Sequence, residues 1–561
     1  MKKLITIVLP LFIFSLQSNL FAQTVPIHWI QNYNGSGDNT DESIDVAVDP
    51  SGNSYVTGSS IGNTGTFDIV TVKYDPNGNP AWISSYNGAS NDNDFAYDLF
   101  LDASGNVYVC GSTKTAANLE DLVVIKYDNA GNQVWVRTYN NSPANLQDAG
   151  KKLAVDASGN VYVCGYTTLA NTTTDWLVIK YDNAGNQVWV VTHNGTNNGN
   201  DNATDIGLDA TGNIFVTGSA NETNGTLSDI VTKRLSPSNG ATVWTGTYNG
   251  VANDNDYGKV LAVDKAGNVI VAGRSFVAGN WFDYATIKYN GLNGTQLWAQ
   301  TYGYSDANTT IKYEEVNAIT TDSLNNVYIT GQSQGNGNQS AQNDIATIKY
   351  SPSGTQLWVA RHTSSGNNDD RGHALVIDDT LNVYVTGYVS LTMNNRDFIT
   401  LKYNSSGTLK WSVTHDGPGG SIDISNAIAL GNDGSLFVTG YGDYNPTTLV
   451  NDDYLTIKYR PQSIGILEWN QTSLPLTFFP NPHTGTGPVS ITGFPVGTWD
   501  KVKVVITGIS GQVLTSFEAH TGSGTIQFGS ENLPAEKGIY FLRIESAGNG
   551  SMLGSGKLVL H

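Results

Sequence analysis

Tryptophan returns along this chain on a beat that one irregular core would not impose. It stands at Trp29, Trp82, Trp135, Trp189, Trp244, Trp298, Trp358 and Trp411, at intervals of 53, 53, 54, 55, 54, 60 and 53 residues. A glycine closing VTG or a near variant keeps the same beat at Gly58, Gly111, Gly165, Gly218, Gly273, Gly331, Gly387 and Gly440. A fixed period of this size signals stacked or radially arranged supersecondary units. One copy divides into four strand signals. They are DFAYDLFLD (Asp94 to Asp102), NVYVCG from Asn106, DLVVIKY (Asp121 to Tyr127) and QVWVRTY (Gln133 to Tyr139). Alternation, β-branched and aromatic residues, and the turns ASGN and DNAGN all mark strands. Eight copies of a four-stranded antiparallel unit predict an all-β fold, an eight-bladed β-propeller over residues 23–460.

The two ends of the array predict how it closes. The array opens with IHWIQNYNG around Trp29, a fourth strand without its first three, and ends with DYLTIKY at Tyr459, a third strand without its fourth. The N-terminal strand therefore completes the last blade, and closure removes the edge strands that an open array would expose.

Composition agrees and excludes several classes. Only 14% of residues are charged, against 61 Gly, 28 Tyr and 12 Trp, which disfavours helical bundles and disorder alike. The net charge of −20 repels phosphate backbones, so no nucleic-acid partner is expected. Two cysteines make no disulfide framework. Lys2, Lys3 and the 13 apolar-rich residues from Leu4 to Leu16, followed by LFAQ, read as a signal peptide over residues 1–22. Cleavage after Ala22 removes two lysines and takes the charge from −20 to −22. No transmembrane segment is expected in the mature chain, and a monomer is expected.

The pattern D-x-x-G-N-V-Y-V-x-G followed by D-x-x-x-I-K-Y resembles the SBBP-type β-propeller repeat of secreted bacterial proteins, over roughly residues 23–460. That family's name implies seven blades, whereas eight copies stand here. Copies six and eight drift: Asn325 occupies the turn-glycine position and Gly431 the turn-aspartate position. After a linker over 461–475, the strand signals of residues 476–561 predict a small β-sandwich. Its order resembles the C-terminal sorting domain of type IX secretion substrates in Bacteroidetes-like bacteria. The matching elements are Pro480-Asn481-Pro482, the strand holding Gly511, Gly538-Ile539-Tyr540 and the ending from Lys557. The resemblance implies type IX secretion machinery as partner and a secreted or outer-membrane-surface location in a Gram-negative bacterium. A sandwich that stays attached and binds something is the alternative.

No HExxH, nucleophile elbow, phosphate loop, EF-hand or zinc spacing is present, so no catalytic residue is assigned. His193, His362 and His415 hold the place of Tyr33, Tyr86, Tyr139, Tyr248 and Tyr302, and Cys110 and Cys164 are equivalent to each other. All five read as packing positions. Acids recur at Asp41, Asp94, Asp148, Asp201, Asp256, Glu314, Asp370 and Asp423, expected to ring one mouth of a central channel. Two readings stand for them: blade architecture, or oxygen ligands for a cation, with calcium the candidate. A second acid opens each third strand, at Asp68, Asp121, Asp175, Asp229, Asp283, Asp344, Asp397 and Asp453, with a Lys or Arg five residues on.

Loops after each VTG vary, while the other face carries short uniform turns, so binding is expected on the variable face, with Trp281 and Tyr444 as aromatic candidates. The expected role is binding or adhesion to polysaccharide or protein. A glycan lyase or hydrolase and a passive surface or matrix protein are the alternatives.

Overall fold

The computed structural model describes residues 25–460 and 477–560, apart from segments within loops, the longest being 305–313, 335–342, 444–451, 480–487 and 493–500. The signal-peptide stretch and the linker 461–475 lie outside the described residues. The chain divides into two units, Met1–Pro461 and Gln462–His561.

The first unit holds eight four-stranded antiparallel sheets. Blade 1 comprises Asp41–Val48, Ser54–Ile61, Phe67–Tyr74 and Pro80–Tyr86; blade 2 comprises Asp94–Leu101, Val107–Lys114, Glu120–Tyr127 and Gln133–Tyr139. Blades 3 to 7 follow in the same order along the chain. In blade 8, Asp423–Leu430, Leu436–Asp443 and Asp452–Tyr459 are completed by Ile27–Tyr33, which pairs antiparallel with Asp452–Tyr459, Ile30 opposite Ile457. First strands of successive blades touch all the way round, blade 8 against blade 1 included, so the ring closes through the two chain ends. The protein is an eight-bladed β-propeller followed by a C-terminal β unit.

There is no single core. Each of eight apolar clusters lies between two successive blades. One joins Tyr108, Cys110, Leu122, Val124 and Trp135 of blade 2 to Leu153, Val163, Leu177 and Ile179 of blade 3. The repeat supplies both sides of every such layer, which is why its apolar positions recur with the blade period.

The tryptophan beat is explained by a bond across each layer. Trp82 packs against Tyr55 of its own blade and Tyr127 of the next, and its indole N–H donates to Asn129 O in the next blade's turn (3.0 Å). Trp29, Trp135, Trp189, Trp244, Trp298 and Trp358 do the same to Pro76, Asn183, Pro237, Gly291, Pro352 and Ser405. The cation five residues after the third-strand acid joins in everywhere but in blade 7, Lys180 donating to Pro237 O (2.9 Å) and Lys458 to Pro76 O (3.1 Å). The invariant VTG glycine is a matter of room. A Cβ on Gly111 would sit 1.8 Å from Phe95 O, because the first strand bulges toward it at Ala96/Asp98.

The turn Asp102-Ala-Ser-Gly-Asn106 shows what the uniform face requires. Asp102 accepts from the N–H groups of Ser104 and Asn106 and from the Asn106 amide, and Gly105 takes φ +80°. The equivalent of Gly105 is Asn325 (φ +64°) in blade 6 and Leu381 (φ +63°) in blade 7. A branched side chain is strained there.

In the second unit, Thr477–Phe479, Val489–Thr492 and Thr525–Phe528 form one sheet, and Val513–His520, Lys501–Thr507, Gly538–Ser546 and Met552–Leu560 another. Val489, Ile491 and Phe528 of the first share an apolar cluster with Val504, Ile506, Tyr540 and Leu542 of the second. That packing makes it a small β-sandwich.

Candidate functional site

All eight repeat acids are buried, at 0–1% exposure, rather than presented at an open mouth. Each accepts from a backbone N–H of the connection leading into its own blade. Asp41 takes Gly35 (2.5 Å), Asp94 Gly88, Asp148 Asn141, Asp201 Gly195, Asp256 Gly250, Glu314 Tyr304, Asp370 Ser364 and Asp423 Gly417. The other oxygen takes an N–H at or just past the end of the second strand in several blades, as Asp201 does from Asn221 (2.9 Å) and Asp370 from Ser390 (2.8 Å). These carboxylates pin the blade-to-blade connections. Burial pushes Asp148 and Asp370 up to about 6 and Asp423 to about 7.

The second set faces the first across the junctions. Asp68 lies by Asp94 and Asp397 near Asp423, burial and then a neighbouring carboxylate raising each of Asp68 and Asp397 to about 6. Of the aromatic candidates, Trp281 lies in the strand Asn280–Tyr289 of blade 5, and Tyr444 lies outside the described residues. His193, His362 and His415 stand opposite Trp176, Ile345 and Phe398 in the outer strand pairs. Cys110 and Cys164 are free and buried. In the sorting unit, Gly538 opens the strand that carries the buried Tyr540 and pairs Phe541 with Lys557. Pro480, Asn481 and Pro482 lie outside the described residues.

Two inner groups break the eightfold symmetry, and neither was singled out from sequence. Four residues after each repeat acid stand Asp45, Asp98, Lys152, Asp205, Val260, Ala318, Ala374 and Ala427. Blades 1 to 4 are thus charged where blades 5 to 8 are apolar. Lys152 Nζ lies 2.6 Å from Asp98 Oδ1. Asp45, Asp98 and Asp205 each accept an N–H from the next blade, from Leu99, Leu153 and Leu261. Burial pushes Asp45 and Asp205 up. Burial also opposes the Lys152 charge, but Asp98, Asp45 and Asp205 outweigh it and hold the ammonium protonated. A column-by-column reading of the repeat contains this signal, but only the bulge shows that the column is innermost.

The second group lines a cleft of about 530 Å³ on the variable-loop side of blades 4 to 6. Its walls include Asn200, Asn202, Asn221, Tyr257, Lys259, Arg274 and Glu315. The Arg274 guanidinium stacks 4.8 Å from the centroids of Tyr257 and Phe282. Lys259 Nζ bonds Glu315 Oε1 (2.5 Å) and Asn317 Oδ1 (2.8 Å), leaving its side chain 40% exposed. A pocket of this size holds a small molecule or a few sugar units. It concentrates two cations in a chain of net charge −20.

Comparison with known proteins places the two ends of this description. Residues 29–64 match the β-propeller repeat family, SBBP, and residues 477–559 match the secretion system C-terminal sorting domain. The sorting domain makes this a secreted or cell-surface protein of Bacteroidetes. Among the described residues no helix is long and apolar enough to cross a membrane. No curated protein matches the chain in sequence. Similar solved structures include the quinohemoprotein alcohol dehydrogenase of Comamonas testosteroni, 13% identical, covering 80% of this chain and 79% of that one, with a TM-score of 0.47. Sqt1 of Chaetomium thermophilum is 12% identical, covering 77% and 100%, with a TM-score of 0.43. PorZ of Porphyromonas gingivalis, described as a surface component of the type IX secretion system, is 12% identical over 92% and 81%, with a TM-score of 0.29. Likenesses this distant assign nothing to the present chain.

Proposed function

We propose that this exported propeller is a binding protein whose ligand is an extracellular polysaccharide, held in the cleft of blades 4 to 6. The carrying observation is that Tyr257, Lys259, Arg274 and Glu315 meet around one cavity on the variable face, whereas the recurring tryptophans and repeat acids bond across or between blades. Asparagine amides donate and accept, lysine and arginine donate, and glutamate accepts, which is the mixture that sugar hydroxyls need. The C-terminal domain is then the delivery device, and its deletion should leave the protein in the periplasm.

A glycan array probed with the intact protein tests the reading. Binding to at least one polysaccharide is expected, weakened about tenfold (~1.4 kcal/mol) or more by Lys259→Met or Arg274→Met. Absence of any glycan ligand, or full affinity in both variants, overturns it; the surface or matrix role, or a protein ligand, would then take its place. A second reading, a glycan hydrolase or lyase, draws on the inner group Asp45, Asp98, Lys152 and Asp205. Hydrolysis needs a carboxyl pair about 5 to 9 Å apart. Release of reducing or unsaturated ends by the wild type, lost in Asp98→Asn, would establish catalysis over simple binding.

A further inference from the structure

The junction between blades 7 and 8 departs from the commonest form of the repeat at three positions at once, where others depart at fewer. In five copies the residue after the Tyr or His closing the fourth strand is Asn (Asn34, Asn87, Asn140, Asn194, Asn249). Four of these donate to the side chain four residues on, Asn34 to Asp38 (2.8 Å) and Asn249 to Asn253 (2.7 Å) among them. Here the residue is Asp416, which has no amide to donate, and the position four on is Gly420, which has no side chain to accept. Opposite the repeat acid, Ser60, Thr113, Thr167, Ser275 and Ser333 supply hydroxyls in five blades; opposite Asp423 stands Gly442. The close fit is visible in the space left, since a Cβ on Gly442 would fall 1.9 Å from Asp423 Oδ1.

Orphaned carboxylate oxygens occur at other junctions too, at Asp68, Asp148 and Asp453 among them; here Asp416 adds a third carboxylate to such a pair. Asp397 is 2% exposed and Asp423 1%, and the Oδ1 of each has no hydrogen-bond partner. One oxygen each from Asp397, Asp416 and Asp423 lies within 4.8 Å of the other two. Among the described residues no lysine or arginine pairs with any of the three. Three carboxylates so placed repel one another unless protonated or neutralised. An all-oxygen set of this spread can close on an ion at about 2.3–2.6 Å, the distance calcium takes, with water filling the remaining positions.

We propose that Asp397, Asp416 and Asp423 bind one calcium ion that joins blade 7 to blade 8. The location has a purpose in the ring. Trp411 and Lys402 of blade 7 are the members of their sets without a carbonyl across the layer: the Trp411 indole N–H has no partner, and Lys402 is left over the Tyr384 ring at 5.0 Å. Their missing acceptor is the turn between the third and fourth strands of blade 8, which does not exist because that fourth strand comes from the N-terminus. A calcium ion bridging the third strand of blade 7 and the first strand of blade 8 replaces the bonds that the chain topology removes.

The test is calcium titration and thermal unfolding of the intact, EDTA-stripped protein, wild type against Asp416→Asn and Asp397→Asn. Asp416→Asn installs the residue that five other copies carry at an exposed position, so it should fold and melt at least as high as the stripped wild type. Expected are one calcium per chain lost or weakened tenfold or more in each variant, and no calcium-induced rise in melting temperature. The proposal is overturned if the wild type binds no calcium up to about 10 mM, beyond the weakest extracellular sites. It is equally overturned if Asp416→Asn binds with unchanged stoichiometry and affinity.

Discussion

The junction of blades 1 and 2 and that of blades 7 and 8 are written with the same repeat positions and end differently. At the first, Trp82 and Lys73 both reach Asn129 in the next blade's turn, and Asp94 takes the Thr113 hydroxyl (2.5 Å). At the second, Trp411 finds no acceptor and packs in a cluster with Val25 from the chain's beginning, while Asp423 keeps an orphaned oxygen. A repeat encodes half of each inter-blade bond, and the next copy supplies the other half. Where the ring is closed by two chain ends, the first half is still written and the second is missing.

The largest break of this comparison is removal of residues 25–33. Without that strand Asp452–Tyr459 becomes an open edge and the last layer loses a wall. Melting should fall by several degrees: each kcal/mol is worth about 2–4 °C in a domain of 150–250 residues and less in a larger ring, and several are lost. An unchanged melting curve would show that closure does not depend on this strand.

Next in size is pH. Asp68, Asp148, Asp370 and Asp397 sit at about 6 and Asp423 at about 7 in the folded protein, above an ordinary value of 3.8. The native state therefore holds more protons than the unfolded chain between these limits. The stability this contributes is full below about 4 and is lost as pH rises through 6 to 7. In EDTA the melting temperature should decline from pH 5 to 8, less steeply in Asp397→Asn. A rise over that range would contradict the assignment of these acids as buried neighbours.

A finer contrast is Trp82→Phe against Trp411→Phe. Both shrink a ring, but the first loses a hydrogen bond that is made while the second removes a buried N–H that has no partner, so the first should cost about 1–3 kcal/mol more in denaturant unfolding. Equal losses would remove the indole bond from the account of the repeat. The smallest effect is expected at the turn of blade 7, where Leu381→Gly should gain about 0.5–1 kcal/mol by relieving φ +63°, net of the added chain entropy. A loss there would mean that the leucine side chain contributes more than its backbone costs.

The scaffold could be read from sequence because its determinants are local and said eight times. The Trp beat, the D-x-x-G-N turns, the incomplete ends and the sorting tail are all contiguous patterns. The acids were legible as a set but not in their role, since their burial depends on which N–H groups the preceding connection turns inward. The bulge at positions such as Ala96/Asp98 shifts the strand register by one, which hid the inner column of Asp45, Asp98, Lys152 and Asp205. The cleft was hidden for another reason: Asn202, Tyr257 and Glu315 are about one blade apart in sequence and meet only around the ring.

Blade number, closure by the first strand and the secretion tail follow from the amino-acid sequence itself, because hydrophobic period and turn chemistry act over a few residues. What only the tertiary structure decides is which partner each repeated residue meets. Asp423 and Asp94 are equivalent in the repeat, yet one is fully bonded and the other shares an acidic junction with Asp397 and Asp416. Part of that difference is Gly442 in place of Thr113 within the acid's own blade; the rest, Asp397 and Asp416, comes from the neighbouring blade, of which the residues of one copy carry no record.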